Sequence, residues 1–188
     1  MNIGFAMTGS FCTFSRIFPV MEQLAQTHHL IPIVSHAVAQ TDSRFGTAQS
    51  HLSRMETICG RPALTTLEQV EPIGPKQLLD VLVIAPCTGN TLAKLSLGLA
   101  DTPVTMAAKS HLRNGRPVLL AVSTNDALGT AAENIGRLLG RRNFYFVPFA
   151  QDAPEGKPRS MVAAFDLLPQ ALLAAAEGRQ LQPIVTGP

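Results

Sequence analysis

The sequence predicts an α/β domain of three layers, with a mostly parallel, doubly wound sheet between two layers of helices. Three observations point there. Short apolar runs of strand type alternate with stretches whose apolar residues recur at helical spacing, the pattern of successive βαβ units. The runs Val81-Leu82-Val83-Ile84 and Val118-Leu119-Leu120-Ala121-Val122 are continuously apolar, as strands buried on both faces of a parallel sheet should be. Helices rather than tight turns separate the strands. Right-handed crossovers then place helices on both faces, the Rossmann or flavodoxin-like arrangement. The 188 residues carry no repeat, linker or low-complexity segment, so they read as one domain, 1–188.

The elements follow in order. Residues 2–7 form the first strand, broken by Thr8-Gly9-Ser10. Phe14, Ile17, Phe18, Met21 and Leu24 set the spacing of a first helix, 14–25. Pro19, which lacks an N–H, kinks that helix or sits near its first turn. Residues 30–35 form the second strand, where Pro32 argues against a fully paired central position. Residues 37–48 are polar and read as loop. Residues 49–59 read as a helix ended by Gly60. The stretch 61–76 is proline-rich and shows no clear period. Residues 79–85 form the third strand, stopped by Pro86, and Asn90 or Thr91 caps the next helix. A helix of about 104–112 ends at Asn114-Gly115. The strand 118–122, a helix near 127–139 and the strand 144–147 come next. Residues 148–158 read as loop, and Ser160 as the cap of a final helix to about Glu177.

Composition excludes several classes. Only 15% of residues are charged, against roughly 25% in a typical soluble domain. A monomer needs charged surface to stay soluble, so the shortage predicts a homo- or hetero-oligomer. The net charge is +2, and the densest basic group is Arg137, Arg141 and Arg142 at the end of a predicted helix. There it offsets the helix dipole, and no nucleic-acid partner is expected. Slight basicity favours small acidic substrates. Cys12, Cys59 and Cys87 are an odd number at wide spacing, which predicts reduced thiols and no metal site. The chain enters a strand at once, without a charged-then-apolar leader. No apolar run approaches the roughly 18 residues of a membrane helix. The expectation is a cytoplasmic protein with no membrane contact.

In an open parallel sheet, ligands bind beyond the carboxyl ends of the strands. Three such ends carry glycine and hydroxyl residues: Thr8-Gly9-Ser10, Thr88-Gly89-Asn90-Thr91 and Ser123-Thr124-Asn125. Two lead directly into helices, whose free N–H groups suit phosphate. Gly9 and Gly89 let backbone approach the ligand. The Gly-x-Gly-x-x-Gly fingerprint is absent, and strand two ends in Val34-Ser35-His36 with no acid for a ribose hydroxyl, so NAD(P) is not the resident cofactor. The ATP-type Gly-Lys-Ser/Thr loop is also missing. A mononucleotide with one terminal phosphate fits better, and FMN is the natural candidate. His36 either lines the pocket or faces solvent. His28 and His29 end the first helix, and His51 and His111 read as exposed helix residues. Cys87 reads as a buried small residue, because no base accompanies it. Asp101 reads as a turn or cap. Lys157 and Arg159 lie in a loop that either closes over an anion or stays solvated.

These segments resemble the flavoprotein family of flavin-containing cysteine decarboxylases and flavin prenyltransferases. The family has a loop like Thr8-Gly9-Ser10 and a segment like Pro86-Cys87-Thr88-Gly89-Asn90-Thr91, continued here by Leu92-Ala93-Lys94-Leu95 and Gly98-Leu99-Ala100-Asp101. The resemblance implies an FMN-type site using Gly9, Ser10 and Phe11 with Ser35, Thr88, Gly89, Asn90, Thr91 and Ser123. Segments 41–46, 71–76, 123–129, 148–152 and 181–184 extend it over nearly the whole chain. They imply one component of a two-component oxidoreductase of sporulating bacteria, acting with a partner chain that carries NAD(P). The implied substrate is a small cyclic dicarboxylate that loses two hydrogens and becomes an aromatic pyridine. Its carboxylates call for guanidinium, ammonium or amide donors, and Arg44, Asn125 and Lys157 are the candidates. No catalytic residue is singled out. The decarboxylases place an active histidine shortly before the strand that begins here at Asp80, and near Pro72 there is none. Their Pro-Ala-Met-Asn segment is Val122-Ser123-Thr124-Asn125 here, keeping only the asparagine. Both departures argue against decarboxylation. A stand-alone FMN-dependent enzyme and a non-catalytic binding or scaffolding component are the alternatives.

Overall fold

The first strand, β1 (Asn2–Met7), leads through α1 (Phe14–Ala25) to β2 (His29–Val34), which pairs with β1 in parallel. The chain then crosses over and returns as β3 (Val81–Cys87) on the other side of β1. Beyond it lies β4 (Val118–Thr124), also parallel. The order β2-β1-β3-β4 reverses direction between β1 and β3, and such a reversal opens a crevice at the strands' carboxyl ends. All of β3 and all but the last residue of β4 are buried, which is why both read as unbroken apolar runs. This computed structural model describes residues 1–187.

The outer edge of β4 is divided. Its first half pairs in parallel with β5 (Phe144–Phe146), from Val118↔Phe144 to Leu120↔Phe146. Its last two residues pair antiparallel with β7 (Met161–Ala163), which forms a hairpin with β6 (Phe149–Gln151). The helices α2 (His36–Gln40), α3 (Ala48–Cys59) and α4 (Leu67–Val70) lie between β2 and β3. Next come α5 (Gly89–Leu97), α6 (Pro103–Leu112) and α7 (Ala131–Leu139), and α8 (Leu168–Ala176) closes the series. α1 touches α3 and α8, while α5 touches α6 and α7, giving three layers.

Several local expectations hold for visible reasons. β2 is an edge strand, and Pro32 shows why it can be. Its carbonyl accepts from the Leu64 N–H at 2.9 Å, so the side that lacks an N–H faces away from β1. Gly60 ends α3 in the left-handed region at φ 64°, as a glycine C-cap should.

Others are corrected. Residues 37–48 are not all loop, because Ser35 Oγ accepts from the Val38 N–H and starts α2, burying Val38. The featureless 61–76 stretch holds α4, started by a reciprocal box between Thr66 and Gln69, and a 3-10 turn at Glu71–Ile73. β3 runs through Pro86 to Cys87, with a register shift against β4. Thr88, not Asn90 or Thr91, caps α5. Pro19 lies inside α1, past its first turn and facing outward. α7 starts at Ala131, after a turn, rather than near Ala127. The 148–158 loop begins with β6, and Ser160 precedes β7 rather than a helix. His51 and His111 are buried, at 5% and 1% exposure. Each lies on the apolar stripe of its helix, with Ala48 and Met55 in α3 and with Val104, Ala107 and Ala108 in α6.

Candidate functional site

Three loops meet at the carboxyl ends of β1, β3 and β4, and side-chain hydrogen bonds fasten them together. Buried Thr8 donates its hydroxyl to the Pro86 carbonyl at 2.6 Å and accepts from the Thr88 N–H at 3.1 Å. The exit of β1 is thereby tied to that of β3. Ser10 reaches the third loop, its Oγ 2.7 Å from Ser123 Oγ. Thr13 Oγ1 donates to the Ser10 carbonyl at 2.8 Å and fixes the turn into α1.

Thr88 Oγ1 accepts from the Thr91 N–H at the start of α5. The N–H groups of Gly89 and Asn90 have no acceptor among the described residues. They are the free donors a helix start offers to an anion. A Cβ at Gly89 would lie 2.9 Å from Thr124 Oγ1, so a side chain here would push the Thr124 hydroxyl aside where α5 begins beside the end of β4.

The loops bound a cavity of about 330 Å³. Gly9, Ser10, Thr88, Gly89 and Ser123 line it, and so do Asn125 and Lys157. Asn125 Oδ1 accepts from the buried Ser160 hydroxyl at 3.3 Å. Five candidates stand outside this cavity. Phe11 turns into a neighbouring one. Ser35 caps α2 at the end of β2. Asn90 faces solvent, and the Thr91 side chain is buried against Thr88 Oγ1 at 3.0 Å. Arg44 is exposed, with its guanidinium 4.8 Å from the Phe45 ring centroid.

Two charged residues of the cavity were not anticipated: Arg16 and Asp152. Arg16 sits in the first turn of α1, where a cation opposes the helix dipole. That misfit was the signal in the sequence. Its guanidinium lies 5.0 Å from the Phe165 ring centroid. Asp152 Oδ2 lies 3.5 Å from Lys157 Nζ. Partial burial pushes the Asp152 carboxyl up, but hydrogen bonds and the Lys157 charge outweigh it and hold it below the usual range. Two cations against one anion leave the cavity suited to a negative ligand.

The remaining polar residues have structural employment. Burial pushes the Cys87 thiol well above its usual range, so it is no nucleophile. Asp101 pairs with Lys94 at 2.7 Å. Arg137 pairs with Glu133, and Arg141 donates to the Leu95 and Ser96 carbonyls at the end of α5. His36 is exposed on α2. Among the described residues, no group of acidic, histidine or cysteine side chains could hold a metal. No described helix is long and apolar enough to cross a membrane.

An open, mostly parallel sheet with a donor-lined crevice at its reversal point is the architecture of the Rossmann- and flavodoxin-like α/β domains. The chain belongs to the Flavoprotein family, whose model matches residues 1–153. It is 46% identical to the B subunit of dipicolinate synthase from Bacillus subtilis (strain 168), over 98% of this chain and 92% of that one. The crystal structure of the B subunit of dipicolinate synthase from Bacillus halodurans matches with a TM-score of 0.90 at 43% identity, covering 99% of this chain and 96% of that one. The FMN-dependent cysteine decarboxylase SpaF shares the fold, with a TM-score of 0.66 at 22% identity, covering 94% and 97%. Family membership supports a flavin-related enzymatic role.

Proposed function

We propose that this chain is the B subunit of a dipicolinate synthase. With an NAD(P)-binding A subunit it oxidises dihydrodipicolinate to dipicolinate, in the cytoplasm of the mother cell of a sporulating bacterium. The observation that carries this reading is the end-to-end likeness to the B subunits of two Bacillus dipicolinate synthases, in sequence and in fold. The reaction takes a hydride and a proton from the dihydropyridine ring and leaves it aromatic. NAD(P)+ accepts the hydride, and the fingerprint that would hold it is missing here, which is why the A subunit is needed.

The strand-end cavity fits the phosphate of FMN. The Gly89 N–H, one hydroxyl of the Ser10–Ser123 pair and the Arg16 guanidinium together form a donor set for a multiply charged oxyanion. When bound, FMN supplies a ring that can accept and return a hydride. Asn125 and Lys157 line the same cavity, and we assign them to the anion held there. Arg44 stands apart from it. The exposed Leu97, Leu99 and Leu139, in and beside α5 and α7, support burial of that side against another chain.

The test is to purify the chain with and without an A subunit, record its flavin absorbance and assay dipicolinate formation. The expected result is a flavin spectrum in this chain and activity only from the pair. A colourless chain, with full activity from the A subunit alone, would overturn the reading.

A further inference from the structure

A second cavity, of about 300 Å³, lies across the turn at Phe11–Thr13 from the first, and Cys12 belongs to the wall of both. Rings build it. Phe11, Phe14 and Phe18 surround His51, with centroids 5.8, 4.8 and 6.4 Å from the imidazole. Phe11 and Phe18 lie nearly parallel to the imidazole, and Phe14 meets it edge-on. Phe45, 45% exposed, also lines the cavity. The space opens to solvent beside Phe45, and its aromatic walls suit a flat ring.

α3 supplies an imidazole ring and a guanidinium to this wall. His51 is 95% buried, and its Nε2 makes no hydrogen bond among the described residues. The Gly46 backbone presses on the ring edge, where an added Cβ would lie 3.1 Å from Nε2, and Gly46 is the ring's polar backbone neighbour. Three residues further along α3, Arg54 holds its guanidinium 4.4 Å from the Phe18 ring centroid. Its Nη2 donates to Glu22 at 3.0 Å, which orients the planar fork. Nη1 and Nε have no acceptor among the described residues. Ser50 adds a hydroxyl to the same wall.

We propose that this second cavity binds the planar aromatic dicarboxylate, its ring among the phenylalanines and beside the His51 imidazole, and one carboxylate against Arg54. The identity of the ligand rests on the function proposed above, while the site rests on its own geometry. Cys12 would then stand between an anion-holding cavity and a ring-holding one, with the two ligands side by side.

The test uses the full chain and pyridine-2,6-dicarboxylate as probe, with neutral pyridine as control. Binding is followed by calorimetry and by the NMR signals of the histidine rings. The probe should bind, pyridine should not, and the His51 ring signals should shift on binding. Arg54→Gln should weaken binding about tenfold, the loss of one charged hydrogen-bonded contact. If Arg54→Gln changes its circular dichroism, Arg54→Lys, which keeps the charge and removes the fork, should weaken binding in its place. If Lys157→Gln weakens binding while Arg54→Gln does not, and His51 stays silent, the dicarboxylate sits at the strand ends. This inference then falls and the proposed function stands. No binding to the chain, alone or with an A subunit, also overturns it. The separate assay of dipicolinate formation then decides the function.

Discussion

Acid should destabilise this protein beyond what its carboxylates dictate, because one buried imidazole has to stay neutral. His111 is 1% exposed near the end of α6, and its Nε2 donates to the Pro117 carbonyl at 3.0 Å. Burial is the largest influence and lowers its pKa from 6.5 to about 4. The Pro117 carbonyl and Asp80 oppose the shift, and Arg116 adds to it. In the unfolded chain the ring regains its ordinary value. Between the two values the unfolded state binds a proton that the folded state refuses, so stability falls with pH. The contribution is whole above pH 6.5 and is lost as pH falls through about 4. The gap of 6.5 − 4 = 2.5 units corresponds to about 3 kcal/mol. That is a large part of the roughly 5–15 kcal/mol that holds a domain folded. His111→Gln removes the titration and keeps a donor for Pro117. Urea unfolding followed by far-ultraviolet circular dichroism, from about pH 7 to about pH 4, measures the difference. The wild type should lose about 3 kcal/mol more than the variant across that range. Parallel losses in the two proteins would refute the reasoning.

Other expectations are as direct. Thr8→Val removes both side-chain hydrogen bonds that tie the exit of β1 to that of β3 and strands the Thr88 N–H. It should cost about 1–3 kcal/mol and lower Tm by roughly 3–10 °C in a thermal melt. Arg16→Ala should weaken FMN binding about tenfold and flatten its salt dependence in a fluorescence titration. Unchanged affinity would remove Arg16 from the anion site. Cys12 is exposed, burial pushes the Cys59 thiol up to about 12, and Cys87 is fully buried. Iodoacetamide should therefore modify Cys12 first in the native protein, and a ligand in either cavity should slow it. Peptide mass spectrometry reads both outcomes.

The parallel strands were legible because burial on both faces writes an unbroken apolar run, as in β3 and β4. α1 was legible to the residue because its buried side repeats at helical spacing. The β6–β7 hairpin was not, since three-residue strands give period-two alternation nothing to repeat over. α2 escaped because one buried residue, Val38, and a serine cap suffice to hold five residues. The buried histidines were misread by residue type alone, although their positions on the apolar stripes were visible. At the site, the strand-end glycines and hydroxyls followed from topology. Arg54 and His51 did not, because Phe18 belongs to α1 and only folding brings that helix against α3.

The divided edge of β4 has a mechanical consequence. The hairpin grips β4 through Ser123 and Thr124 alone, while the parallel ladder carries the rest of the strand. Val162, Asp152 and Lys157, all on or between the hairpin strands, make up one wall of the strand-end cavity. Phe149, Met161 and Ala163 of the hairpin are nonetheless buried in the common core, so that wall is anchored by packing more than by its ladder. A change of packing beneath the hairpin would therefore reshape one flank of the cavity and leave the donors of α5 and β1 where they are.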